Sequence, residues 1–161
     1  MWTLTASTSY SGRMVTVQPT IVVRRVATAA DGAAAYDIRR RVFQEEQGVP
    51  PELEFDSDDA IAVHVVAVAG GDVIGTGRLV MHADIAKVGR MAVVREWRGR
   101  GAGRAILAAL VGEAAQRGVQ RVVLHAQVHA IPFYERNGFR VVGDVFDEAG
   151  IPHRRMERPP R

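Results

Sequence analysis

A chain of 161 residues is about the size of one domain, so a second folded unit is not expected. Hydrophobic residues make up 47 % and charged residues 24 %, a composition typical of soluble globular proteins that excludes a disordered chain. The absence of cysteine excludes disulfides, thiolate-bound zinc and a cysteine acyl-enzyme, and the net charge of +3 is mild.

The beginning of the chain predicts a tail and no membrane anchor. No apolar run approaches the ~20 residues that a bilayer span requires, and residues 1–13 lack the basic and apolar regions of a secretory signal. We therefore expect a cytoplasmic protein that does not bind a membrane. Residues 1–18 are rich in Ser and Thr without periodicity, which indicates a flexible tail before one domain over 19–161.

The first half of that domain predicts one helix among β-strands. Ala35, Ile38 and Val42 recur at helical spacing after Asp31, which we expect to be the N-cap. Gly70-Gly71 between two β-branched runs is typical of a hairpin turn. The predicted elements are a strand over 20–26, a helix over 32–46, strands over 62–69 and 73–81, and a strand over 86–94.

Residues 48–59 contain two prolines and five acidic side chains, which predicts a loop with at most a short helix. Its negative charge has two open interpretations. It is either a solvated face or a rim that attracts a cationic acceptor molecule.

The second half predicts the strongest helix of the chain, over 103–117, which ends before Gly118 at the expected C′ position. A strand over 122–126, a short helix over 131–136, a strand over 139–146 and a last paired run over 154–157 follow. This order predicts the mixed α/β (α+β) class: a twisted, mostly antiparallel sheet with helices on both faces.

The sharpest functional signal is Arg98-Gly99-Arg100-Gly101-Ala102-Gly103, between a strand and the strongest helix. Glycines let successive N–H groups converge, and a helix N-terminus adds about half a positive charge. The arginines, with Arg104, suit a pyrophosphate, although a simple tight turn stays open. A Walker loop does not fit because Arg104-Ala105 follows Gly103, and an early dinucleotide-binding βαβ unit does not fit the antiparallel meander.

These residues resemble the GNAT superfamily of acyl-CoA N-acyltransferases, and the resemblance covers most of residues 20–157. Arg98-x-x-Gly101-x-Gly103 matches the family's Q/R-x-x-G-x-G/A pyrophosphate motif, residues 89–93 look like its preceding strand, and residues 133–139 look like its downstream signature. Residues 42–50 and 148–153 are similar to a particular bacterial subfamily.

The resemblance implies acetyl-CoA as cosubstrate and a small-molecule or peptide amine as acceptor. The strand residues would offer backbone groups to the pantetheine arm, the glycine-rich loop would wrap the pyrophosphate, and Gln127 stands where the family often has Asn. The expected cofactor-binding residues are Met91, Ala92, Val93, Arg98, Gly99, Arg100, Gly101, Ala102, Gly103, Arg104, Gln127, Ala130 and Phe133.

The same resemblance places Tyr134 near the thioester sulfur, where it would donate a hydrogen bond or a proton to the departing thiolate. The acceptor amine must lose a proton, since its pKa of about 10.4 lies well above neutral pH. Candidate bases are Glu46, His64 and His125, besides the acidic loop around Glu54 and Asp56. Each of these has an alternative structural role.

Without cysteine, direct attack in a ternary complex is expected rather than a covalent acyl-enzyme. The alternative is a catalytically idle acyl-CoA-binding sensor or interaction module. No metal is predicted because the five histidines have no paired spacing. No nucleic-acid partner is predicted because basic residues form no block with interleaved aromatics, whereas the family tendency is compatible with a homodimer.

Overall fold

The computed structural model describes residues 17–161. The predicted tail over 1–18 lies outside the described residues except for Val17 and Gln18, which belong to neither a strand nor a helix. Within the described part, no helix is both long and apolar enough to cross a membrane.

The centre of the fold is a seven-stranded sheet in the order β1-β2-β3-β4-β5-β7-β6. The strands are β1 (Val22–Arg25), β2 (Val63–Ala69), β3 (Asp72–His82), β4 (Ile85–Val93), β5 (Arg121–Gln127), β6 (Arg140–Glu148) and β7 (Ile151–Arg158). Neighbours are antiparallel except β4 and β5, which are parallel. The predicted mostly antiparallel mixed sheet is therefore confirmed. The final strand is longer than predicted and lies between β5 and β6.

The parallel pair is short, and this opens the sheet. Paired positions run from Ile85 and Arg121 to Val88 and Leu124 and end there. Beyond that point β4 continues against β3, and β5 continues against β7. The carboxyl ends of β4 and β5 thus separate, and the space between them becomes a cleft.

The α-helices are α1 (Ala29–Arg39), α2 (Pro51–Glu54), α3 (Ala102–Gln116) and α4 (Ile131–Arg136), and π-helical turns extend α1 over Arg40–Glu46. The predicted cap at Asp31 is wrong. Thr28 is the N-cap, since its hydroxyl accepts from the Asp31 N–H at 3.1 Å. The Asp31 carboxylate accepts from the Ala27 N–H and pairs with Arg24. Thr28 and Asp31 therefore each satisfy a backbone N–H group at the start of α1.

Helix α3 packs directly on β3, and glycine makes that approach possible. A Cβ built on Gly77 would lie 2.8 Å from Ile106 Cγ2 and 2.9 Å from Leu110 Cδ1, and both of those side chains are fully buried. The next residue along the strand, Arg78, points to the opposite face, where it meets Asp59, which also binds Arg39 of α1. Helices therefore cover both faces, as predicted.

Replacing Gly77 by Ala is expected to lower the free energy of unfolding by about 1–3 kcal/mol, because a new methyl group must displace well-packed side chains. Urea unfolding followed by circular dichroism measures the change. Gly112→Ala in α3 is the matched control, since nothing lies within 4 Å of a Cβ there and the residue is exposed. That control should be neutral or slightly stabilising. Equal stability of Gly77→Ala and wild type would contradict the close approach of α3.

Candidate active site

The separation of β4 and β5 creates a cleft with a volume of about 630 Å³. The π-helical turns, β4, β5, α4 and the β6–β7 hairpin all contribute to its wall. Nine of the expected cofactor-binding and catalytic residues line it: Glu46, Met91, Ala92, Val93, Arg98, His125, Gln127, Ala130 and Tyr134. Glu54 and Asp56 of the acidic loop line it as well. The fold thus gathers side chains that are up to 88 positions apart, from Glu46 to Tyr134.

A second cleft, of about 670 Å³, lies at the start of α3 and shares Val93 and Arg98 with the first. The predicted residues Gly99, Gly101, Gly103, Arg104 and Phe133 line it. Because two wall residues are common to both, the clefts are adjacent. A ligand with an anionic end and a long arm can therefore occupy both.

The glycine-rich loop has the geometry of an anion site. Gly99 and Gly101 have φ values of +74° and +87°, where side chains with a Cβ are strained. Gly101 is the N-cap of α3, and no side chain caps this end of the helix. The first backbone bond runs from the Ala105 N–H to the Gly101 carbonyl at 3.0 Å, so the N–H groups of the first turn have no partner within the helix.

The arginines of this region have separate roles. Arg98 and Arg104 line the second cleft, together with Arg136, which was not predicted from sequence. Arg100 lies outside that lining, because its guanidinium covers the Trp97 ring at 5.2 Å and donates to Gln18 Oε1 at 3.0 Å. Ala102 is also outside the lining, as its side chain is buried at the start of α3.

The edge of β4 facing the first cleft is irregular. Arg90 has a φ of +50°, and the register with β3 shifts between Thr76 and Arg78, which is a β-bulge. Since pairing with β5 ends at Val88, the backbone of residues 89–93 faces the cleft on that side. An extended, amide-containing ligand could pair with this edge as an added strand would.

Tyr134 lies on α4 and lines the first cleft. Its ring packs edge-on against Phe133 at 5.0 Å and Phe139 at 6.0 Å, which fixes its position. Within residues 17–161 its hydroxyl has no hydrogen-bond partner. Burial raises the pKa of Tyr134 to about 12, so the hydroxyl is a neutral donor at physiological pH.

The three candidate bases lie in different surroundings. His125 lines the first cleft, and its Nδ1 is 3.0 Å from Glu148 Oε1. Glu46 also lines it, but its carboxylate accepts from Arg98 Nη2 at 2.8 Å. His64 lines neither cleft, and its Nε2 bonds to the Asp59 carbonyl at 2.9 Å. His64 therefore does not share a cleft with the other two candidate bases, Glu46 and His125.

Gln127, expected in the cofactor site, is tied to the segment around Glu46. Its Nε2 donates to Gln47 Oε1 at 2.9 Å, so the amide that the family often supplies from Asn is here engaged with a neighbouring glutamine. Glu148 and His153, which also line the first cleft, were not predicted as site residues from sequence. Both belong to the segment 148–153, which was noted as a subfamily feature without a role.

Most carboxylates of the acidic loop are engaged by arginines, although Glu52 stays exposed. Three of its carboxylates, Glu54, Asp56 and Asp59, pair with three arginines in a largely buried network. The charges of this set cancel. The arginines are Arg39, Arg78 and Arg90.

In this network, pairing with arginine determines the pKa values of the carboxylates more than burial does. Burial alone would raise the pKa of Asp59, but hydrogen bonds from Arg39 and Arg78 outweigh it and hold that pKa below its ordinary value. The Arg78 guanidinium likewise lowers the pKa of Asp56. These carboxylates are therefore ionised structural partners of arginine, and the loop around Glu54 and Asp56 is not a free base.

Comparisons with known proteins agree with this geometry. Residues 27–159 match the family model described as the acetyltransferase (GNAT) domain. The uncharacterized N-acetyltransferase YjcF of Bacillus subtilis is 38 % identical over 123 residues, which cover 76 % of this chain and 88 % of that protein. An acyl-CoA N-acyltransferase from Pseudomonas aeruginosa superposes with a TM-score of 0.75 and 28 % identity, covering 87 % of this chain and 99 % of the other. Escherichia coli ElaA gives a TM-score of 0.77 at 25 % identity, with 86 % and 99 % covered.

Proposed function

The chain belongs to the GNAT acetyltransferase family, and from this premise we propose that it transfers an acetyl group from acetyl-CoA to a primary amine by direct attack in a ternary complex. One observation carries the proposal. The uncapped start of α3 opens into a cleft that adjoins the cleft containing Tyr134 and His125. In a ligand whose anionic group and reacting group are joined by a long arm, the anionic group would lie at the start of α3. The reacting group would then lie beside Tyr134 and His125.

The residues present fit the diphosphate of coenzyme A. The first-turn N–H groups of α3 converge where Gly99 and Gly101 turn the backbone, and the helix dipole favours negative charge there. Arg98, Arg104 and Arg136 add fixed cations to the wall of the same cleft. The pantetheine arm would then follow the unpaired edge of residues 89–93.

The leaving group would be stabilised by Tyr134. A thiol such as that of cysteine has a pKa of about 8.5, so complete proton transfer from a tyrosine with a pKa of about 12 to the thiolate costs about 5 kcal/mol. A hydrogen bond from the neutral hydroxyl to the developing thiolate avoids that cost. Tyr134 therefore acts as a donor that stabilises the breaking C–S bond.

The attacking amine would lose its proton to His125. Of the candidate bases, this side chain lines the cleft and is not engaged by an arginine. The amine nitrogen bonds to the acyl carbon, the C–S bond breaks, and the amine proton passes to the imidazole. The products are an amide and coenzyme A.

Two measurements test the proposal. Calorimetry with CoA reports cofactor binding, and a thiol-release assay with acetyl-CoA and a panel of amines, amino acids and peptides reports turnover. We expect both to be positive. CoA binding without turnover on any amine would favour an acyl-CoA sensor or interaction module instead, and absence of CoA binding would contradict the proposal.

Glu46 offers a prediction that separates two roles. If it is the counterion of Arg98, Glu46→Gln removes a negative charge that repels the diphosphate, and the dissociation constant for CoA should fall by about twofold to fivefold. The kcat should stay within about threefold of wild type. Glu45→Gln, at an exposed neighbour paired with Arg40, is the matched control and should change neither quantity. A loss of kcat of about 100-fold or more would instead identify Glu46 as the base.

A further inference from the structure

The β6–β7 hairpin presents one row of side chains to His125. Ala149 and Gly150 form its turn with φ values of +52° and +75°, as in a type I′ turn, and Glu148 pairs with Ile151. Phe146 pairs with His153 two residues further along. Directly opposed residues, and alternate residues along a strand, share a face of the sheet. This face meets His125, since the Phe146 ring is 4.9 Å from the imidazole.

On this face, the carboxylate of Glu148 contacts His125 and lies near a second imidazole, that of His153. Glu148 Oε1 is 3.0 Å from His125 Nδ1, and Glu148 Oε2 is 3.6 Å from His153 Nε2. His153 Nδ1 lies 2.6 Å from the Ile151 carbonyl, and because a carbonyl only accepts, that nitrogen carries a hydrogen. The contact with His125 lowers the pKa of Glu148, so the carboxylate is an acceptor at neutral pH.

An ionised carboxylate determines the tautomer of its partner. Glu148 Oε1 can only accept, so His125 Nδ1 must carry the hydrogen and donate it. In the neutral imidazole the nitrogen with a free lone pair is then Nε2. A histidine used as a general base needs this arrangement, with one nitrogen held by an acceptor and the other available.

We propose that Glu148 is a positioning residue for the acyl transfer: it holds His125 in the Nδ1–H tautomer, so that Nε2 takes the proton of the attacking amine. The inference rests on the proposed function. As the N–C bond forms and the C–S bond breaks, the amine proton moves to Nε2, and the resulting imidazolium is stabilised by the Glu148 carboxylate. His153 Nε2 lies 3.6 Å from the second carboxylate oxygen, so the hydrogen bond to His125 is the contact through which Glu148 acts.

Other charged groups around the pair are mostly basic. Lys87 on β4 and His153 on β7 contribute to lowering the pKa of Glu148, and Arg155 on β7 is the cross-strand neighbour of His125. The other titratable groups on the cleft wall are Glu46, Glu54, Asp56, Asp58, Arg78, Arg90, Arg98, His129 and Tyr134. Without Glu148, an imidazolium at His125 would lose the carboxylate that contacts it, while Lys87 and Arg155 would remain nearby.

The kinetic test compares Glu148→Gln with Glu148→Ala. The amide oxygen of Gln still accepts from Nδ1–H, so the tautomer is kept while the charge is lost. We expect kcat to fall about 10-fold and the acid limb of the kcat/KM profile to move about one unit to lower pH. Glu148→Ala removes the acceptor as well, and kcat should fall about 100-fold. KM for acetyl-CoA should stay within about twofold in both variants.

A matched control and a double variant make the test specific. Asp147→Asn changes the adjacent carboxylate, which accepts from the Gly150 N–H in the turn, and should leave the acid limb in place. In a His125→Ala background, Glu148→Gln should have no further effect, because Glu148 acts through His125. An unmoved acid limb in Glu148→Gln, or a full additional loss in the double variant, would overturn the inference.

A readout without turnover separates this inference from the proposed function. Long-range ¹H–¹⁵N spectra of the histidine rings report the tautomer, which should be Nδ1–H at His125 in wild type and Glu148→Gln and should shift toward Nε2–H in Glu148→Ala. A predominant Nε2–H tautomer in the wild type overturns the inference. The Nδ1–H tautomer together with no thiol release from any amine contradicts the proposed function alone.

Discussion

Tyr134→Phe is expected to lower kcat by about 100- to 1,000-fold, the range found when one donor to a developing negative charge is removed. The ring would keep its packing against Phe133 and Phe139, so only the hydroxyl is lost. The dissociation constant for CoA should stay within about twofold, because the diphosphate end of the ligand is proposed to bind in the adjacent cleft. Thiol release at saturating acetyl-CoA and calorimetry measure the two effects.

Tyr36→Phe is the matched control for this change. Tyr36 packs against Phe55 and under the Arg39 guanidinium, and it lines neither cleft. Removal of its hydroxyl should not affect the reaction, so kcat should remain at the wild-type value. A Tyr134→Phe enzyme that retains half or more of wild-type kcat would show that the hydroxyl does not stabilise the leaving group.

Arg39→Met is expected to lower the free energy of unfolding by about 3–5 kcal/mol, because it leaves a buried carboxylate without its partner. Arg39 and Glu54 are each only 1 % exposed. Arg39 Nε donates to Glu54 Oε1 at 2.6 Å, and Nη1 donates to Asp59 Oδ1 at 2.7 Å. Within the described residues Glu54 Oε2 has no hydrogen-bond partner, and the cation left beside Glu54 would be Arg90, whose Nε lies 3.7 Å from Oε1, beyond hydrogen-bond distance.

The neighbouring arginine provides the control for Arg39. Arg40 pairs with Asp37 and Glu45 but is 47 % exposed at its side chain, so Arg40→Met should cost less than about 1 kcal/mol. Urea unfolding followed by circular dichroism compares the two variants directly. Equal stability losses in both would contradict the view that the acidic loop is held by a buried ion network. A partial recovery in Arg39→Met/Glu54→Gln would support it.

The parts of the fold that were predicted from sequence depend on local signals. Helix α4 has the predicted bounds over 131–136, and α3 begins within one residue of its prediction, because apolar spacing and the glycine that follows each helix are local signals. The hairpin at Gly70-Gly71 is likewise local, since two residues with positive φ determine the turn.

The parts that were missed depend on residues distant in sequence. The acidic loop is paired with arginines from three different elements, Arg39, Arg78 and Arg90. No local sequence pattern around the loop indicates this pairing. The place of β7 between β5 and β6 is also a tertiary outcome. It brings Glu148 into contact with His125, 23 positions earlier in the chain. In the sequence, the segment that contains Glu148 was noted only as a subfamily feature without a role.

Local competition explains the remaining error at the start of α1. Both Thr28 and Asp31 are good capping residues, and spacing alone favoured the one nearer the apolar stripe. In the structure the Asp31 carboxylate instead accepts hydrogen bonds from Arg24 and the Ala27 N–H. The Thr28 hydroxyl therefore caps the helix.

The central claim is that the main-chain amides at the start of α3 bind the diphosphate of coenzyme A, and amide NMR measures this most directly. On titration with CoA, we expect ¹H–¹⁵N shifts at residues 99–104 and along 91–93, whereas pantetheine, which lacks the diphosphate, should shift residues 91–93 alone. Binding of CoA that leaves the amides of residues 99–104 unchanged would contradict the account.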